Sequence, residues 1–460
     1  MRPFAHGVKY SVATAVLAAA GCATPPTHPV LKPITHAQRP PERLPPVIQQ
    51  AQATVPTPTP APTSLNALLE SAYATNPRLT RANALVEAAR GRFLQAGLPP
   101  NPVYTFSADE LGDRNGPIGI LSPQISQEFV LGGKLSLGQA VAAKEVDQAT
   151  LTVLAERYAI AGRVRATACE LAALRQRVEI LAEVVAIAEK LVEQATKAEK
   201  GPNTPLTRGD VLPLELELER FRSEKQAVER ELPAVERRLA AALGDARMPI
   251  GSLSLDLSAP LPEYDLDQVR EQVMAYHPEA RVAAVAVEKA RAAVHRAEVE
   301  VIPNVTASVG YVRQNQNRSN DWSVGVSVPL VLRNRNQGNI RAAQAEVVAA
   351  THDVTRIQNT LAERVAVAYR TYALAKKRAE QYQASILPKV EEIYGFVKSQ
   401  FEKGVVEYLR VLQAQRAVAE ARLESNLALS EAWQAAGELS GLLLEENWPP
   451  APSTVPSKLP

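Results

Sequence analysis

Hydrophobic and polar positions alternate strictly along Asp321–Leu332 (DWSVGVSVPLVL). Trp322, Val324, Val326, Val328 and Leu330 share one face, and Ser323, Gly325, Ser327 and Pro329 share the other. A period of two with one apolar and one small, polar face predicts a half-buried strand. A length of about ten residues suits a strand that crosses an outer membrane at a tilt. The pattern recurs. Tyr104, Phe106 and Ala108 alternate within Val103–Leu111, and after a loop rich in Gly, Asp and Asn a second strand is predicted over Ile118–Leu131, ending in QEFVLGGK. The Gly132-Gly133 pair lacks the other residues of a phosphate loop and predicts a strand-to-helix corner instead.

After each strand pair the period changes to that of a helix. Residues 135–200 contain no proline, and Val164, Thr167, Leu171, Leu174, Val178, Leu181, Val185, Ala188, Val192 and Ala195 step by three and four in turn. This sustained heptad predicts a coiled-coil seam on a helix of about 100 Å, ended by Lys200-Gly201-Pro202. A second seam follows at Leu214, Leu218, Phe221, Lys225, Val228, Leu232, Val235, Leu239 and Ala242. Two such helices make a long antiparallel hairpin. LELELE inside the second spells a strand, but the heptad around it assigns helix. Upstream, Ser64 is positioned to cap a helix that breaks at Asn76-Pro77 and resumes to about Gly97.

The chain is duplicated. Shifted by 201 residues, Asn76-Pro77 meets His277-Pro278, and Ala82, Val86, Glu87, Ala89, Arg90 and Ala96 meet Ala283, Val287, Glu288, Ala290, Arg291 and Ala297. PPNPVYTF answers VIPNVTASVGY with a small gap, and Ser126, Val130 and Leu131 meet Ser327, Val331 and Leu332. Ala142, Glu145, Val146, Ala149, Thr150 and Val153 meet Ala343, Glu346, Val347, Ala350, Thr351 and Val354. Each unit supplies a helix, two strands, a very long helix and a return helix. In the second unit Pro388 predicts a kink in the long helix. Four strands are too few to close a transmembrane barrel, which needs about eight, and an open sheet edge in lipid strands its backbone groups. Several copies are therefore expected to share one barrel.

Composition narrows the function. A formal charge of +2 over 460 residues, with 22% charged side chains, gives no basic surface for nucleic acid. The six histidines (6, 28, 36, 277, 295 and 352), two cysteines and three methionines show no ligand spacing, so neither a metal site nor a cofactor is expected. Nucleotide loops, zincin motifs and nucleophile elbows are also missing, so no enzyme is expected. Cys169 reads as a small packing residue. Arg2, Lys9 and the apolar run Val12–Ala20 make 1–21 a signal peptide of lipoprotein type, with Cys22 as the residue to be acylated. The expected divisions continue with 22–63, lipid anchor and Pro-rich tether; 64–245, first repeat; 246–265, linker; 266–446, second repeat; and 447–460, Pro-rich C-terminal tail.

The duplicated NP and HP helix starts, QEFVLGGK with its counterpart VPLVLRNRN, and the turn QFEKGVVEYLRVLQAQ (400–415) together resemble the TolC-type outer-membrane factors of tripartite efflux systems, over about 65–445. QEFVLGGK resembles the CzcC-like, heavy-metal branch. The resemblance implies a mainly α fold with membrane β: a homotrimer whose four strands per chain make a twelve-stranded outer-membrane β-barrel, continued by a periplasmic α-helical barrel. It implies passive export of substrate, with divalent heavy-metal cations as cargo, delivered by an inner-membrane pump of RND type and a periplasmic adaptor (membrane fusion protein). It also implies localisation in outer-membrane lipid with extension into the periplasm.

The turns at Gly201 and Gly404 would then form the tip where adaptor or pump docks. Acidic residues after these turns narrow the entrance in such proteins. Asp210 fits that pattern, whereas Arg410 and Gln413 stand where Asp is familiar. The expected gate is a charge-assisted contact of Asp210 with Arg410, with Glu407 nearby; solvated turn charges are the alternative. A multidrug or type I secretion exit duct and a non-conducting coiled-coil periplasmic lipoprotein are the competing functions.

Overall fold

The computed structural model describes residues 63–110, 112, 119–200 and 207–449. The signal peptide, Cys22, the tether, Gly201 and residues 450–460 lie outside the described residues. Ser64 caps α1 (Leu65–Thr75), its hydroxyl accepting from the Ala67 N–H at 3.3 Å. Asn76 separates α1 from α2 (Pro77–Ala96). Its Oδ1 accepts from the Arg78 N–H at 3.0 Å, and Pro77 sits in the first turn, where a missing N–H costs no bond.

The chain then forms β1 (Val103–Asp109), β2 (Ile120–Phe129), α3 (Lys134–Glu199) and α4 (Arg208–Leu243). After residues 244–265 the plan repeats as α5 (Leu266–Tyr276), α6 (Pro278–Val299), β3 (Val305–Gln314) and β4 (Ser319–Ser327). His277 takes the place of Asn76 as cap, its Nδ1 accepting from the Glu279 N–H at 3.3 Å. Then come α7 (Gln337–Gln381), α8 (Leu387–Glu402) and α9 (Tyr408–Leu442). Lys134–Glu199 is one unbroken helix of 66 residues, and LELELE is helical.

In the second unit the long helix is interrupted at Tyr382–Ile386, just upstream of Pro388. Proline lacks the N–H that the preceding turn needs, so the helix widens into one π turn, in which the Leu387 N–H bonds the Tyr382 carbonyl. The final predicted strand needs correcting: β4 begins at Ser319 and stops at Ser327, not Leu332. Pro329 offers no ladder donor there.

The four strands form one antiparallel sheet in the order β1-β2-β3-β4. The helices follow the same logic: α3 packs on α2, α4, α6 and α9, and α7 packs on α6 and α9. The main core lies where α1, α5 and the middle of α3 meet the C-terminal ends of α4 and α9. Residues 246–265 are part of that core and not a bare spacer: Leu257 is buried, and its carbonyl accepts from the Trp433 indole N–H at 2.9 Å. Trp448, within the expected tail, is buried edge-on against Trp433 with centroids 5.4 Å apart.

Candidate membrane-spanning wall and channel end

The sheet register sorts the side chains into complete rows. Tyr104, Ile125, Val309 and Val324 lie side by side across all four strands, whereas the next row is Thr105, Gln124, Gly310 and Ser323. A further polar row holds Val103, Ser126, Ser308 and Gly325. Partners opposite each other in an antiparallel ladder share a face, so one face is apolar and the other is mainly small and polar. The apolar face is uncovered: Trp322, Val324 and Val326 are 76%, 79% and 69% exposed. Tyr311 stacks edge-on to Trp322 on the same face and donates from its hydroxyl to Asn320 Oδ1 at 2.6 Å. A ten-residue strand spans about 33 Å, which at barrel tilt matches an apolar band of about 25 Å. Among the described residues no helix is long and apolar enough to cross a membrane. The sheet is the candidate wall.

At the helix end of the sheet, Gly132 and Gly133 both adopt left-handed φ values, 72° and 71°, and turn β2 into α3. A side chain on Gly132 would collide with Ile302, 2.8 Å away. Lys134 is buried beside this corner, donating to Asn304 Oδ1 at 2.8 Å and pairing with Glu300 at 3.6 Å; Asn304 in turn donates to Glu128 at 2.7 Å. The glycines thus make a corner tied by polar contacts.

At the opposite end, Gly404 ends α8 with φ 74°. The N–H groups of Gly404 and Val405 bond the carbonyls of Phe401 and Gln400, closing a Schellman motif. Phe401 and Tyr408 stack edge-on across the turn, and Ala195, Val211, Leu214 and Leu412 bury a small cluster that joins the ends of α3, α4 and α9.

The expected gate residues are near this end but are not joined within the chain. Asp210 accepts at Oδ2 from both the N–H and the hydroxyl of Thr207, at 2.8 and 2.6 Å, which completes a capping box for α4. Those two bonds hold its carboxyl below the usual carboxylate range. Glu407 caps α9 through its backbone, and Arg410 and Gln413 are exposed. Among the ion pairs of the described residues, Asp210 and Arg410 do not meet. Within the chain, Asp210 caps its own helix start through Oδ2.

Two buried polar side chains had no signal in the sequence. Arg165, fully buried on α3, donates to Ser440 Oγ and the Glu446 carbonyl, both at 2.9 Å, and lies against Trp448. Burial pushes the nearby Glu445 carboxyl up, with Arg165 opposing the shift. Gln415 is buried near the tip. Arg165 falls in the heptad next to a seam residue, where arginine reads as solvated; only the return of the chain end over it gives it partners. Cys169 is buried and burial pushes its thiol up, which suits packing. Among the described residues, no group of three or more His, Cys, Asp or Glu is placed to hold a metal ion.

The duplicated strand pair and helical hairpin, with one uncovered apolar sheet face, has counterparts among known proteins. Residues 269–443 match the family described as outer membrane efflux protein. The cobalt-zinc-cadmium resistance protein CzcC of Cupriavidus metallidurans is 24% identical over 389 residues, covering 83% of this chain and 90% of that protein. The outer membrane protein VceC of Vibrio cholerae has the same fold, with a TM-score of 0.66 at 19% identity over 82% of this chain and 95% of that one. The channel-forming CusC matches with a TM-score of 0.65 at 16% identity, over 82% and 91% of the two chains. The family match covers the second unit, and the sequence resembles CzcC over most of the chain.

Proposed function

We propose that three copies of this chain close one twelve-stranded barrel and form a passive exit duct for divalent heavy-metal cations. In this reading an inner-membrane pump of RND type supplies the energy and a periplasmic adaptor joins pump to duct. The observation that carries the closure is the sheet: it has a lipid-type face and two open edges, β1 and β4. Unpaired edge groups in hydrocarbon cost several kcal/mol each, so the sheet must close through further copies. The likeness to a cobalt-zinc-cadmium resistance protein supports the cargo. A metal cargo needs no resident site in a duct.

The reading includes acylation of Cys22 as a second attachment to the outer membrane, and docking of the adaptor or pump at the turns of Gly201 and Gly404. It also places the entrance gate at Asp210, Glu407, Arg410 and Gln413, with contacts made between copies. Single-channel recording of Asp210→Ala and Arg410→Ala tests the gate, and unchanged opening in both removes it.

The cargo is tested by deleting the gene and scoring survival on zinc, cobalt, cadmium, copper and lipophilic drugs. Selective metal sensitivity is expected. Sensitivity to lipophilic drugs alone overturns the metal reading in favour of a multidrug duct.

A further inference from the structure

The end of the sheet away from the helices carries charge on both faces, and the register sorts it by sign. Tyr311 and Trp322 form the last aromatic row of the apolar face. The next row on that face places Arg313 opposite Asn320 on one side and Leu121 on the other. The strand carboxylates of this rim belong to the other face. Asp109 pairs with Ile120 in the row of Gln314 and Ser319, and Asp321 pairs with Val312, both in step with the polar rows. Glu110, just past β1, accepts at Oε2 from Gln316 at 2.5 Å. Between Val312 and Asp321 the chain reads RQNQNRSN, with two arginines and no acidic residue.

The turn holds Arg313 without using up its charge. Its Nε donates to Asn315 Oδ1 at 3.2 Å. Asn317 ties the same turn, donating to Gln314 Oε1 at 2.9 Å and accepting from the Ser319 N–H at 3.0 Å. Arg313 and Arg318 are both exposed, and neither forms an ion pair among the described residues. A guanidinium tied at Nε keeps its two terminal nitrogens as a fork, which fits two oxygens of one phosphate. An arginine at mid-depth on a lipid face is costly, but one placed just past an aromatic girdle stands at headgroup level. β3 is an inner strand of the sheet, so Arg313 does not lie on an edge where another copy would pair.

We propose that Arg313, with Arg318 in the same hairpin, binds the phosphate of a phosphorylated glycolipid in the outer leaflet, so that each chain holds a lipid headgroup against its outer rim. This rests on the membrane-wall reading above and adds what the rim of that wall recognises. Two observations select the ligand. The cations are set on the lipid-type face while Asp109 and Asp321 are set on the opposite one, which favours an anion arriving from the lipid side. The amides of Asn315, Gln316 and Asn317 flank the arginines in the turn, and amides offer both donors and acceptors to sugar hydroxyls.

Lipid titration of the full-length chain tests this. The protein is extracted from outer membranes, stripped of lipid in detergent and titrated with bis-phosphorylated lipid A. The double variant Arg313→Gln with Arg318→Gln is expected to bind roughly tenfold more weakly than the native chain. Asp321→Asn, on the opposite face, is expected to bind as the native chain does. Dephosphorylated lipid A, with the same acyl chains, is expected to bind the native chain and the double variant alike. Equal binding of bis-phosphorylated lipid A by the native chain and the double variant overturns the proposal. Phosphatidylglycerol bound by the native chain as tightly as lipid A overturns the glycolipid as occupant. Recovery of the native mature chain from the soluble fraction, instead of outer membranes, overturns the wall reading itself whatever the titration gives.

Discussion

Lys144, Glu145 and Gln148 on α3 and Ala345, Glu346 and Ala349 on α7 stand at the same places in the two units, yet the first three are half-buried and the second three exposed. The long helix differs in the same sense: α3 runs unbroken and buries residues along much of its length, while α8, beyond the π turn, has no buried residue and leaves Ile393 and Phe396 exposed. One blueprint therefore gives two environments, because the inner unit edge has a neighbour in the chain and the outer edge does not. Burial at such positions reports who sits next door, and a repeat protein reveals its missing neighbour by that contrast.

If the packing inside the chain sets its stability and the outer edges do not, damage inside should unfold the chain, and damage at an exposed end should stay local. The largest effect is expected for Trp433→Ala. It removes a buried indole, its hydrogen bond to Leu257 and its contact with Trp448, and should lower unfolding stability by about 3–5 kcal/mol, read by denaturant titration of the chain in detergent.

Gly437→Leu comes next. A Cβ at Gly437 would lie 3.0 Å from the Ala166 backbone nitrogen and 3.2 Å from Arg165 Cβ, so α9 must move off α3 at a cost of about 1–3 kcal/mol. A lower unfolding midpoint in the separated chain checks it.

Glu145 supplies a pH test of the packing of α3 on α6 and α2. The hydrogen bond from Lys289, helped by Arg92 and opposed by partial burial, holds its carboxyl below the usual value. A carboxylate with a lower pKa in the folded state contributes stability that is complete above its unfolded value and lost as pH falls through its folded value. Glu145→Gln should therefore cost stability near neutral pH, and the difference from the native chain should vanish below the carboxylate range. An acid titration of both proteins measures this.

The smallest effect is local: Asp210→Ala removes the capping box and should speed amide exchange in the first turn of α4, with little change elsewhere.

Much of this was legible along the chain. Ser64, Asn76, Gly97, Gly132-Gly133 and Gly404 mark element ends through local backbone chemistry, and both heptads and the strand alternation are local periods. The cap on α4 was not legible, because Asp210 reads the same whether it faces a neighbour or, as here, caps its own helix through Thr207. Arg165, Leu257 and Trp448 were also hidden, since their partners come from distant parts of the chain.

The sequence by itself determined the kinds of element, their order, the doubling and which face of β1 and β4 is apolar, because each of these is fixed by patterns along the chain. Only the tertiary structure decided that β2 meets β3, that the chain end folds back over Arg165, and that Pro388 is absorbed as a π turn. Those outcomes depend on segments such as Phe129 and Val305, which have no local interaction to bring them together and meet only when the whole joint packs.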